Sequence, residues 1–159
     1  MVGSILLFLS ILFQGGDKEH KIEIYVFNER CIPVTSLMGP MSFQRKWYSL
    51  AKTYKPEGVP ILTKHDIVSF DTKEFQLLIS DHGWETLKKE GIPTSGIPVL
   101  LVIDDVVSYG AWLWTPLSSS VCDGVAFVFF EGAEEKVLKI RQPMDEQNEI
   151  RIPRPLTSD

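Results

Sequence analysis

The stretch VLLVIDDVVSYGAWLW, residues 99–114, decides the fold of this chain. Residues 99–103 are apolar throughout, which is typical of a strand that is covered on both faces of its sheet. Asp104 and Asp105 follow as a tight polar turn, and residues 106–114 return as the partner strand. The sequence therefore predicts a hairpin at the centre of a sheet.

Further β-rich segments lie on both sides of this hairpin. Residues 22–27 alternate apolar and polar side chains, which indicates a strand. Residues 67–70 and 75–79 are two β-rich runs separated by a short polar turn, and this pattern favours a second hairpin. Residues 125–130 have the composition of a buried strand, and residues 137–140 are expected to pair back at the edge of the sheet.

Two helices are expected between the strands. Residues 41–54 carry apolar side chains at helical spacing and end before Pro56 and Gly58. A shorter helix begins near Ser80 or Asp81 and ends before Gly91, which suits the position after a helix. The sequence predicts an α+β domain, with a mainly antiparallel sheet built from hairpins and two helices packed on one face.

The apolar start of the chain suggests export. No charged side chain occurs before Asp17, and the apolar run over residues 5–13 is shorter than the ~20 residues that span a bilayer, but it suits a secretory signal. The alternatives are a buried first strand or helix, or an uncleaved anchor or tag remnant. We expect a signal peptide over 1–16, one domain over 17–141, a loose polar tail over 142–159, and a periplasmic or extracellular location.

Composition limits the kinds of partner. The net charge is −5 and the densest basic groupings are pairs, so no basic face for nucleic acid is expected. No cofactor motif is present, and after loss of the leader no stable membrane span is expected. Cys31 and Cys122 either form a disulfide in an exported protein or remain two buried thiols. Neither has the neighbours that a metal site needs.

Serine and histidine residues give one candidate for chemistry. Ser118, Ser119 and Ser120 form a polar loop, which is more typical of turn hydrogen bonding than of a nucleophile. A serine hydrolase would need His65 or His82 as its base, and the sequence has no G-x-S-x-G or S-x-x-K motif. Hydrolysis is therefore an alternative function, and no catalytic residue is assigned.

Aromatic residues on the second strand of the central hairpin give another candidate. Trp112 and Trp114 share one face of that strand, and Tyr109 lies on the other face. Tryptophan and tyrosine are common anchors in protein interfaces, although aromatic rings also fill cores. We hypothesise a non-enzymatic exported domain that binds a protein, a peptide or an envelope component through these rings or through the loop over 118–120. A structural subunit of an envelope assembly is a further alternative.

The order of these elements resembles a known family. Residues 66–70, 75–79, the short helix near residues 84–87, and residues 99–107 are together similar to the core of the periplasmic head domain of SecD-type translocase subunits. They also look like small exported bacterial domains of unknown function. The resemblance implies an α+β sandwich outside the cytoplasm without an established catalytic site. The multiple membrane spans of a translocase have no counterpart in this sequence, so its transport activity is not implied.

The intact mass of the protein from its native source tests the expected export. We expect a mass that lacks the leader up to about residue 16, because a signal peptidase removes an exported leader. A mass two protons lower before reduction than after it would establish the bond between Cys31 and Cys122. A full-length, fully reduced mass would contradict export.

Overall fold

The computed structural model describes residues 20–27, 47–48, 50–117, 122 and 124–141. These residues form a single sheet with the strand order β2-β1-β5-β6-β7-β8-β4-β3. Neighbouring strands are antiparallel, except that β6 and β7 are parallel. The elements are β1 (Ile22–Val26), β2 (Leu62–Thr63), β3 (Ile67–Asp71), β4 (Gln76–Ile79), α1 (Asp81–Glu90), β5 (Ile97–Ile103), β6 (Val106–Trp114), β7 (Ala126–Val128) and β8 (Val137–Arg141).

The sheet curls until its two ends meet. β2 and β3 are the first and last strands of the order, yet only the 3-10 turn Lys64–Asp66 separates them in sequence. Three residues span at most about 10 Å, whereas the outer strands of a flat eight-stranded sheet would lie about 33 Å apart. The short link therefore requires a nearly closed sheet.

The predicted α+β arrangement with two helices on one face is wrong. The structure is mostly sheet, and the helical segments of the described residues contact different parts of it. Trp84 and Leu87 of α1 pack into one buried cluster, whereas Trp47 and Ala51 belong to another. The reason for the error is that β8 pairs with both β7 and β4, and this long-range pairing joins the hairpins into a curved sheet.

The larger core cluster fills the inside of the curved sheet. All eight strands contribute to it from one face, as alternation of side chains along a strand requires, and α1 adds to it. The cluster includes Ile22, Ile24, Leu62, Ile67, Leu77, Ile79, Trp84, Leu87, Val99, Leu101, Ile103, Ala111, Leu113, Phe127, Leu138 and Ile140.

The smaller core cluster lies on the outer face of β1, β5, β6 and β7. Residues 47, 48 and 50 have helical backbone and continue into the 3-10 turn Ala51–Thr53, and this segment covers the outer face. The Trp47 indole N–H is shared between the carbonyl oxygens of Val99 and Ala111, at 3.2 and 3.1 Å. A hydrogen bond from the Trp47 indole, as well as apolar packing, therefore holds this segment on the outer face of the sheet.

Several predicted local elements are confirmed. β5 and β6 form the central hairpin, and both residues of its turn, Asp104 and Asp105, have positive φ, as the favoured tight hairpin turn requires. β3 and β4 form the second hairpin. Ser80 caps α1, and Gly91 ends it in a left-handed conformation. The prediction that residues 137–140 form an edge strand is wrong, because β8 lies between β7 and β4.

Gly110 of β6 allows the covering segment to approach the sheet. A Cβ atom at this position would lie 2.2 Å from the Trp47 carbonyl oxygen and 2.6 Å from the Ala51 Cβ atom. We expect Gly110→Ala to lower the free energy of unfolding by about 2 kcal/mol, because backbone and a short side chain cannot move aside cheaply. Denaturant unfolding measures the effect.

Gly132→Ala is the matched control for this substitution. Its Cβ atom would meet only the Phe130 ring, at 3.2 Å, and that side chain is partly exposed and can move. The control should change stability by less than about 0.5 kcal/mol. Equal effects of the two substitutions would contradict the close approach at Gly110.

Candidate functional site

The three predicted aromatic residues are inside the fold. Tyr109, Trp112 and Trp114 are between 2% and 8% exposed. Trp112 and Trp114 lie in the outer cluster beneath the covering segment, and Tyr109 stacks on Tyr48 with ring centroids 4.9 Å apart. Binding of a partner through these rings stays a prediction, and in this conformation the rings contribute packing.

The other predicted binding residues fall largely outside the described part of the chain. Ser118, Ser119, Ser120 and Cys31 lie there, as do the predicted leader and tail. Cys122 is described, and it is buried with its thiol 3.8 Å from the Gly124 carbonyl oxygen. The disulfide and the serine loop therefore stay predictions.

The turn that joins β2 to β3 holds a buried carboxylate. Asp66 is 5% exposed, and one of its carboxylate oxygens accepts from the Thr63 backbone N–H at 2.8 Å and from the Thr63 hydroxyl at 3.0 Å. The other oxygen bonds the His82 imidazole Nδ1 at 2.7 Å and accepts from the Ser80 hydroxyl at 3.4 Å. This carboxylate therefore ties the closing turn to the start of α1.

Further contacts strengthen the same junction. The Ser80 backbone N–H donates to the Asp66 carbonyl oxygen at 2.8 Å. Gly83 allows α1 to pack directly on the turn, since a Cβ atom there would lie 2.8 Å from the Asp66 Cβ atom. Burial raises the pKa of Asp66, but hydrogen bonds from His82 and Thr63 outweigh it and hold that pKa below its usual value. The carboxylate is thus ionised at neutral pH and stabilises the closure.

This histidine–carboxylate pair has a structural role in the described part of the chain, because it ties the closing turn to α1. The Ser80 hydroxyl donates to Asp66 and accepts from the Gly83 backbone N–H at 3.1 Å, so it serves as the helix cap. Among the described residues, no serine hydroxyl is hydrogen-bonded to the imidazole of His82 or His65. The described geometry therefore assigns no base to a serine nucleophile.

Two other kinds of site find no support in the described ranges. Within them, no three histidine, cysteine or acidic side chains come together as metal ligands would. The same ranges hold no helix with the length and apolar character needed to cross a membrane.

One flank of the sheet leaves apolar side chains in contact with solvent. We call the outer face of β3, β4 and β8 the open flank. Seven large apolar side chains are exposed in the described part of the chain, and Val68, Phe75 and Leu78 of this count belong to the β3–β4 hairpin. Val68 is 60% exposed and Leu78 is 39% exposed. This concentration on one hairpin distinguishes the flank from scattered surface residues.

The order of side chains on the open flank follows from strand register. Ser69 pairs with Leu78, and Leu78 pairs with Val137, so these residues form a row across three strands. The pairing of β3 with β4 shifts between Ile67 and Ser69, and Val68 sits in this irregularity. The extra residue lets both Val68 and Ser69 face outward between the inward-facing Ile67 and Phe70.

A groove of about 670 Å³ crosses the open flank. Val68, Leu78, Ile79 and Val137 are the apolar residues of its lining. The rest of the lining is polar and consists of four acidic residues, one lysine, and Ser69, Gln76 and Ser80. The charged residues are Asp71, Asp81, Glu134, Glu135 and Lys136. The groove is thus apolar at its centre and acidic around it.

Two of these carboxylates are held in the charged form. The backbone N–H groups of Glu74 and Lys73 donate to Asp71 and lower its pKa. The Lys136 ammonium group donates to Asp81 and lowers its pKa as well. Both carboxylates are ionised at neutral pH, and Lys136 forms an ion pair with Asp81.

Sequence reasoning missed the open flank. The hairpin over residues 67–79 was predicted, and the outward Val68 and Leu78 were visible as apolar residues within it. The missing information was the pairing of β8 with β4, which brings residues 134–137 alongside the β3–β4 hairpin.

Comparisons of the chain with models of known protein families, with curated proteins and with solved structures find no match. The similarity to SecD-type head domains stays a prediction.

Replacing Asp66 tests its role in the closure. We expect Asp66→Asn to lower the free energy of unfolding by about 2–3 kcal/mol at neutral pH, because several donors lose a charged acceptor. Glu57→Gln removes the same charge from an exposed loop position and should have little effect. Urea unfolding of both variants measures the difference.

The pH dependence gives an independent check on Asp66. Its folded-state pKa lies below the unfolded value near ~3.9, so its stabilising effect is present above that pH and is lost as the pH falls through the folded-state pKa. The native protein should therefore lose more stability than Asp66→Asn on acidification below about pH 4. Parallel pH profiles of the two proteins would contradict this account.

Proposed function

We propose that this protein is a non-enzymatic binding module that recognises a peptide segment of a partner protein on its open flank. The observation that carries the proposal is the groove around Val68 and Leu78, where apolar side chains of two paired strands stay exposed side by side. Exposed apolar surface of this kind is typical of interaction sites in folded proteins.

The contrast between the two parts of the outer face supports this proposal. Over β1, β5, β6 and β7, Trp47, Leu50 and Ala51 pack against the outward side chains and bury them. Over β3, β4 and β8, no segment among the described residues covers the outer face, and Val68 is more than half exposed. A partner segment docked here would remove the same kind of surface from water, and this burial favours binding.

The shape of the groove favours a peptide over a small molecule. Its lining residues come from three neighbouring strands, from the residues before β8 and from the start of α1, so it is a trough along the sheet surface. Sites for small ligands usually enclose most of the ligand surface. A trough that is apolar at the centre and polar at the rim matches the usual anatomy of a protein interface.

Peptide selection followed by substitution in the groove tests this function. We expect a displayed random peptide library to yield peptides that bind the purified protein. Val68→Asn combined with Leu78→Asn should weaken the affinity of the synthetic peptides at least tenfold, because two apolar contacts become polar. Isothermal titration calorimetry measures the affinities, and thermal unfolding verifies that the variant is folded.

Val106→Asn is the matched control, because Val106 is 64% exposed and lies at the tip of the central hairpin, outside the groove. It should change the affinity less than twofold. The absence of enriched peptides would overturn the proposal. An affinity that is insensitive to the double substitution at positions 68 and 78 would overturn it as well.

A further inference from the structure

We infer that the segment bound in the open flank is cationic, with lysine or arginine side chains alternating with aliphatic ones. This inference rests on the proposed function and adds the chemical class of the partner. It depends on the charges that surround the apolar centre of the groove.

The charge of the groove is strongly unbalanced. Asp71, Asp81, Glu134 and Glu135 line it, and Lys136 is the single cation among the lining residues. The Lys136 ammonium group is already bonded to Asp81. The other three carboxylates form no ion pair with a lysine or arginine in the described part of the chain, although Lys73 attracts Asp71 at longer range. An incoming cation would reduce their mutual repulsion.

The spacing of apolar and acidic side chains suits an extended segment. Ser69, Leu78 and Val137 lie in one cross-strand row. Asp71 and Gln76 lie in a second row of β3 and β4, two residues from Ser69 and Leu78. Successive side chains of an extended chain point in opposite directions, so every second residue faces the same surface. Aliphatic residues that face the apolar row would leave the intervening lysine or arginine side chains to reach the acidic rim.

The same charges argue against two other occupants. A second copy of this chain would bring its own carboxylates against these, and the whole chain carries a net charge of −5. A nucleic acid or an anionic lipid surface would be repelled for the same reason. Charge complementarity therefore selects a basic segment as the occupant.

A pair of heptapeptides tests this inference directly. One alternates lysine with valine and the other alternates glutamate with valine, so that they differ only in the sign of their charges. We expect the lysine peptide to bind the full chain at least tenfold more tightly at low salt. The preference should fall towards unity in 0.5 M salt, because surface charges are screened over a few ångströms at such ionic strength.

Substitution of the rim shows whether the groove carries the preference. Glu134→Gln with Glu135→Gln should reduce the preference several-fold, whereas Glu57→Gln with Glu90→Gln removes the same charge elsewhere and should leave it intact. Equal binding of the two peptides, or equal effects of the two double variants, would overturn the inference.

The outcomes separate this inference from the proposed function. If selected peptides lose affinity with Val68→Asn and Leu78→Asn but carry no basic residues, the proposed function holds and the cationic class is wrong. If neither the heptapeptides nor the selected peptides respond to that double variant, the proposed function is wrong and the inference falls with it.

Discussion

The short link between the first and last strands is the constraint on which the rest of this structure depends. Lys64–Asp66 joins β2 to β3, and a sheet with that connection must curl until its ends meet. The Asp66 carboxylate fixes the turn by bonding Thr63 within it and His82 of α1. A buried carboxylate is costly unless its oxygens are satisfied, and here both oxygens accept hydrogen bonds. Folding and ionisation are therefore coupled at this point.

Closure of the sheet also creates an uneven outer surface. The apolar residues of the inner face form one core, and Trp47 and Ala51 pack on the outer face over β1, β5, β6 and β7. The outer face over β3, β4 and β8 keeps Val68 and Leu78 exposed beside acidic residues. The same pairing of β4 with β8 that continues the sheet places these apolar and acidic groups together. Fold and proposed binding surface thus have a common origin.

Local signals predicted much of this fold, and non-local pairing limited the rest. The apolar run of residues 99–103 and the turn at Asp104 predicted the central hairpin, and the cap at Ser80 predicted the start of α1. Both signals act between residues close in sequence. The pairing of β8 with β4 joins segments about 60 residues apart, and alternation within a strand carries no information on its neighbours. Tryptophan and tyrosine occur both in protein cores and at interfaces, so the residue types in β6 did not show whether their side chains are buried.

Inter-strand nuclear Overhauser effects measured on the isotopically labelled protein test the nearly closed sheet most directly. The account predicts contacts between Leu77 and Leu138, which join β4 to β8, together with contacts between Glu23 and Thr63, which join β1 to β2. If both sets of contacts are observed, the strands on the two sides of the closing turn belong to one sheet. A β3–β4 hairpin without contacts to β8 would contradict the closed sheet and the open flank that it forms.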